Sequence, residues 1–89
     1  MKIPKQVKIG GHIYSIDFKN LEDDVGQCDT ANLKITIEKD AKQSIKESTL
    51  LHEAVHAMNP TFDDGDRHAL MDSLTEQIYQ FLKDNNFLK

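Results

Sequence analysis

One cysteine, Cys28, stands in these 89 residues, so no internal disulfide can form. No apolar run approaches the roughly 20 residues that cross a bilayer as a helix. The opening Met1-Lys2-Ile3-Pro4-Lys5 is charged from the outset and has no apolar stretch behind it, unlike a secretory signal. These absences give the expectation of a cytoplasmic protein without a membrane partner. Positive charge is also short: eleven Lys and Arg face fifteen Asp and Glu, for a net charge of −4 at pH 7. That balance argues against a nucleic-acid binder, which would present a basic stripe, and Lys2, Lys5 and Lys8 read as a solvated strand face. Glycine and proline are scarce (four and two), and the chain is 38% hydrophobic and 29% charged, the composition of a folded domain rather than a disordered tail. Without repeats or low-complexity stretches, residues 1–89 read as one small domain. A chain this short buries only about 60–65% of its unfolded surface, so its core is modest.

The first half has the pattern of strands. Val7-Lys8-Ile9 and His12–Phe18 flank Gly10-Gly11, a hairpin signal; Tyr14, Ile16 and Phe18 share one face and Ile13 takes the other. After the acidic connection Asn20–Asp24, Gly26–Thr30 and Leu33–Glu38 form a second expected hairpin across Ala31-Asn32, with Leu33, Ile35 and Ile37 on the buried side. Cys28 is read as a small strand residue, and His12, just after a turn, as exposed. The second half has helical spacing. Ser44-Ile45-Lys46-Glu47 fits a capping box. Ile45, Leu51, Val55 and Met58 then recur at helical spacing until Asn59-Pro60, where proline ends the helix. A turn-rich loop over 61–65 leads to a second helix from about Asp66 to Asn85, with Leu70, Leu74, Ile78 and Phe81 as its apolar face. Asp63, Asp64 and Asp66 read as turn and helix-start residues that complement the helix dipole.

The chemistry is concentrated in His52-Glu53-Ala54-Val55-His56. On a helix, positions i and i+4 lie one above the other, so His52 and His56 can bind a single Zn²⁺. Glu53 beside them can serve as general base toward water at the metal. A catalytic zinc needs a third protein ligand, and the second helix offers His68, Asp72 and Glu76 along one stripe. His68 is preferred, because imidazole is the softer and more usual zinc ligand; spacing alone leaves Glu76 and Asp72 open. The longer metzincin pattern is excluded, since Asn59 and Phe62 stand where it needs Gly and His. Tyr79 is a candidate for transition-state stabilisation, with a core role as the alternative.

Thr49–Ala57, preceded by short strands and followed by a helix closing in Tyr79–Asn85, resembles small phage- and prophage-encoded HExxH proteins. These are minimal relatives of the ImmA/IrrE-type and SprT-like zincin metallopeptidases. The resemblance covers nearly the whole chain, although the pentapeptide is its one specific motif. In the ImmA/IrrE-type pattern a glutamate stands where this chain has His68, a departure that the SprT-like use of histidine makes conservative.

The resemblance implies an α+β fold: a small, mostly antiparallel sheet of three to four strands, then an active-site helix and a second long helix. It also implies that a substrate peptide pairs with the sheet's edge strand beside the cleft, for which Leu33–Glu38 is the candidate. The reading that follows is a zinc metallopeptidase with His52, His56 and His68 as ligands and Glu53 as catalytic base. Its partner is a protein or peptide substrate. The alternative is a weak or inactive zincin fold that binds a host or phage regulator.

Overall fold

The computed structural model describes residues 2–59, 65–85 and 87. Its order is β1 (Gln6–Ile9), β2 (His12–Lys19), β3 (Gly26–Asp29), β4 (Lys34–Glu38), α1 (Gln43–Met58) and α2 (Gly65–Asp84). The chain is therefore α+β, as expected from the two halves of the sequence. The expected loop over 61–64, with Asp63 and Asp64, and the helix-ending Pro60 lie outside the described residues.

Gly10 and Gly11 both take positive φ, 57° and 83°, which a two-residue hairpin turn requires and L side chains resist. They set β1 against β2 with Val7 opposite Tyr14 and Ile9 opposite His12. The second hairpin turns at Thr30–Leu33. Asp29 accepts hydrogen bonds from the Asn32 backbone (3.1 Å) and side chain (2.8 Å), and Leu33 sits at φ 54° just ahead of β4. Both β3 and β4 are thus one residue shorter than expected at this turn.

The sheet order is β1-β2-β4-β3, and β2 pairs with β4 in parallel, so the sheet is mixed. This overturns the expectation that Leu33–Glu38 is an edge. β4 lies in the middle, and its three consecutive residues Ile35, Thr36 and Ile37 are all buried, a burial that a central strand allows and an exposed edge does not. The edges are β1 and β3.

One face of the sheet carries α1. Ile9, Tyr14, Ile16, Ile35, Ile37 and Leu50 form the core between them. Phe18 stays 42% exposed at the far end of β2, under the Lys46 ammonium at 5.3 Å from its ring centre.

Helix α1 begins one residue before Ser44, and Lys42 at its N-cap makes no side-chain cap bond. The expected capping box is therefore absent. Glu47, its acidic half, turns inward to α2 instead, where a buried carboxylate gains stronger donors than one backbone N–H.

Helix α2 packs on α1 and not on the strands. Its covered side holds Met71 (1% exposed) and Thr75 (2%), whereas Leu70, Leu74, Ile78 and Phe81 are 65%, 49%, 42% and 59% exposed. The expected apolar face thus points outward. The face that packs is instead the one that carries His68 and Asp72 to α1.

Candidate metal centre

The two helices pass each other in opposite directions. Glu47, near the start of α1, meets Tyr79 and Lys83 near the end of α2; further along, His52 and His56 meet Asp72 and His68. This pairing makes a site from residues that the sequence separates.

Within α1, one helical turn places the His52 and His56 rings edge to face with centres 4.7 Å apart, and their Nε2 atoms share a hydrogen bond of 3.0 Å. The His68 ring lies 5.9 Å from that of His52 and 5.2 Å from that of His56. Asp72, one turn after His68, straddles two of the imidazoles: Oδ1 is 3.2 Å from His52 Nδ1, and Oδ2 is 3.3 Å from His68 Nδ1. The Oδ1 contact lacks the alignment of a hydrogen bond, since this buried oxygen has no hydrogen-bond partner among the described residues.

His52, His56, His68 and Asp72 each offer a ligand atom, all within 4.8 Å of one another, so this group could hold a metal ion. A tetrahedral ion with nitrogen ligands at 2.0–2.1 Å sets neighbouring nitrogens about 3.3 Å apart. The His52–His56 pair, at 3.0 Å, need open only by a few tenths of an ångström. The Nδ1 atoms of His52 and His68 both lie against Asp72, which leaves their Nε2 atoms available as ligands, as where a carboxylate orients a metal-binding histidine.

Burial lowers the His52 pKa. Asp72 opposes that shift, while His56 and His68 add to it, so the ring is held toward the neutral form that ligation needs.

Glu53 is 8% exposed and lines the same cleft as the three histidines. Strand β3 comes close here because Gly26 has no side chain: a Cβ on it would collide with Thr49 Cγ2 and lie 3.1 Å from Glu53 Oε2. The cleft has a volume of about 560 Å³. Its walls are Asp24–Gly26 ahead of and in β3, Ile45–His56 along α1, and His68, Asp72 and Glu76 on α2.

The structure therefore brings together His52, Glu53, His56 and His68, the four residues singled out in the sequence. Asp72 joins them in a role the sequence reading did not assign; its i+4 spacing from His68 was the available signal. Glu76 lines the cleft but stands outside the ligand group. Tyr79 cannot serve a reaction there. Eleven residues of helix separate it from His68, about 16 Å along the axis, and its hydroxyl donates to Glu47 at 2.9 Å. His12 is exposed, Asp66 lies in the first turn of α2, and Cys28 packs half-buried against the core.

Comparison of the chain with models of protein families, with curated proteins and with solved structures gives no match. Among the described residues, no helix is long and apolar enough to cross a membrane.

Proposed function

We propose that this chain is a zinc-dependent metallopeptidase of minimal zincin type, with His52, His56 and His68 as the metal ligands and Glu53 as general base. The observation that carries the reading is the convergence of three imidazoles from two helices on one cleft, with the carboxylate of Glu53 buried in the same wall. Holding an ion needs no such carboxylate; breaking a peptide bond does.

A zinc ion at this group would supply a Lewis acid for the substrate carbonyl and for water. Glu53 takes a proton from water as its oxygen bonds to the carbonyl carbon, and returns the proton to the amide nitrogen as the C–N bond breaks. Asp72, against the Nδ1 atoms of His52 and His68, would orient these two imidazoles as ligands. The substrate strand is expected along β3, the edge that borders the cleft, rather than along β4. The resemblance to phage-encoded zincins favours a substrate among host or phage regulators inside the cell.

A second reading keeps the zincin fold and the ion but not turnover. Because the ligand group spans α1 and α2, an ion would tie the helices together whether or not a bond is cut, leaving the chain as a binding or regulatory protein. Zinc content of purified wild type, His56→Ala and Glu53→Gln, measured beside hydrolysis of a mixed fluorogenic peptide library, separates the two. The peptidase reading expects metal lost in His56→Ala, and metal retained with hydrolysis lost in Glu53→Gln. Equal hydrolysis in wild type and Glu53→Gln would refute it, and a zinc-loaded wild type without hydrolysis favours the binding protein.

A further inference from the structure

The cleft extends along α1 well beyond the histidines. Ile45 lies seven residues before His52, about 10 Å along the helix, and is 43% exposed in the cleft wall. Val25, 54% exposed, adjoins Gly26, which lies against Thr49 one turn after Ile45. The two apolar side chains therefore flank the same wing. The same cleft is lined by two exposed carboxylates: Asp24, next to Val25 in sequence, and Glu76, one turn after Asp72 on the part of α2 that runs toward the Glu47 end of α1. Four carboxylates and no Lys or Arg stand among the twelve lining residues. Such a wing offers nothing to a substrate carboxylate. It suits a side chain with an apolar stem and a cationic head.

We propose that the wing formed by Asp24, Val25, Ile45 and Glu76 is a subsite for a lysine or arginine side chain of a bound peptide. The inference rests on the cleft being a peptidase site. The methylene stem lies over Val25 and Ile45 while the head reaches the two carboxylates, dividing apolar and charged parts as long basic side chains do at surfaces. An extended peptide advances about 3.3 Å per residue, so 10 Å places the basic residue about three positions from the bond at the metal group. The substrates are then basic peptides or basic segments of proteins, and the acidic balance of the chain draws them to the cleft.

The test uses the full chain loaded with zinc and short peptide hydroxamates, whose hydroxamate anchors on the ion. Lysine, norleucine or glutamate is placed one to four residues away, with the anchor at either end of the peptide. Norleucine keeps the stem without the charge. Lysine at the third position, give or take one, is expected to bind about tenfold tighter than norleucine at low salt, the yield of two exposed ion pairs. Glutamate is expected to bind weakest. The lysine advantage shrinks in 0.5 M salt and disappears in Asp24→Asn/Glu76→Gln, isosteric changes at two exposed side chains. Equal binding of lysine and norleucine peptides, or a lysine advantage that survives the double substitution, overturns the subsite while leaving the peptidase reading intact. A zinc-loaded chain that binds no hydroxamate overturns that reading, and the subsite with it.

Discussion

The Tyr79 hydroxyl donates a 2.9 Å hydrogen bond to Oε1 of Glu47, a carboxylate 1% exposed and 32 residues away in sequence. Lys83 Nζ reaches the same oxygen at 3.3 Å, and Gln43 donates to Oε2 at 3.3 Å. This clamp fixes the end of α2 to the start of α1, and with it the level at which His68 and Asp72 meet His52 and His56. Removing the phenol leaves a buried carboxylate short of a donor, at a cost of about 1–3 kcal/mol. Tyr79→Phe should therefore lower the urea midpoint with the slope unchanged, and zinc affinity should fall with it as the helices lose their alignment.

The same clamp gives an acid limb to stability. Burial alone would raise the Glu47 pKa, but the hydrogen bonds from Tyr79, Lys83 and Gln43 outweigh it and hold the group down to about 2, below its ordinary 4.5. A carboxylate with a lowered folded pKa contributes stability that is complete above about 4.5 and is lost as pH falls toward 2. Thermal stability of the wild type should fall steeply through that window. In Glu47→Gln the slope there should flatten, because the titrating group is gone. On the alkaline side, burial and the Glu47 bond push Tyr79 up to about 12 from 10, so its contribution is present below 10 and fades as pH rises toward 12.

At the metal group, Asp72→Asn keeps the shape of the side chain but removes the charge that faces both Nδ1 atoms. Loss of such an orienting carboxylate weakens metal binding by about 10- to 100-fold. Competition with a chromophoric chelator should show that drop in Asp72→Asn, a larger one in His68→Ala, and little change in Glu76→Gln. Loss of zinc equal to that of His68→Ala in the Glu76 variant would make Glu76 the ligand. Zinc at a hundred times its Kd should raise unfolding stability by about 2.7 kcal/mol, an increment that chelation removes.

The two faces of α2 give opposite expectations. Met71 is 1% exposed against α1, and Met71→Ala should cost about 2–5 kcal/mol. Leu70 is 65% exposed, so Leu70→Glu should change stability by less than about 1 kcal/mol in a chemical denaturation series. A larger loss in the Leu70 variant would mean that the stripe is covered in solution.

That contrast shows where the sequence was legible. The Gly10-Gly11 turn, the strand alternation around Tyr14 and Ile16, and the His52–His56 pair are local patterns, and each predicted its element. The choice of α2 face was not local. Two stripes compete on that helix, and periodicity favours Leu70, Leu74, Ile78 and Phe81. Glu47, Asp72 and Tyr79 favour the other stripe, through contacts with residues 20 to 32 positions away that no window along the chain contains. The central place of β4 was closer to reach. Its run Ile35-Thr36-Ile37 is β-branched throughout, which suits a strand covered on both faces, yet the eye for alternation reads Thr36 as polar. Sequence spacing offers Asp72 only as a ligand, because its position beside two imidazoles is a property of the helix pair.

Gly26 offers the sharpest test of how the cleft is built. A methyl group at this position would collide with Thr49 Cγ2, and Thr49 is β-branched and 5% exposed, with little freedom to turn away. Gly26→Ala should therefore push β3 from α1 and cost about 1–3 kcal/mol. If the chain is a peptidase as proposed, it should also reduce hydrolysis beyond what stability explains, since β3 borders the cleft beside the Glu53 carboxylate. Thr49→Ser deletes the clashing methyl. The double variant Gly26→Ala/Thr49→Ser should recover most of the stability lost in Gly26→Ala, an interaction term measurable by a double-mutant cycle. Strict additivity of the two changes would mean that β3 does not press on Thr49, and the contact would then have no part in shaping the cleft.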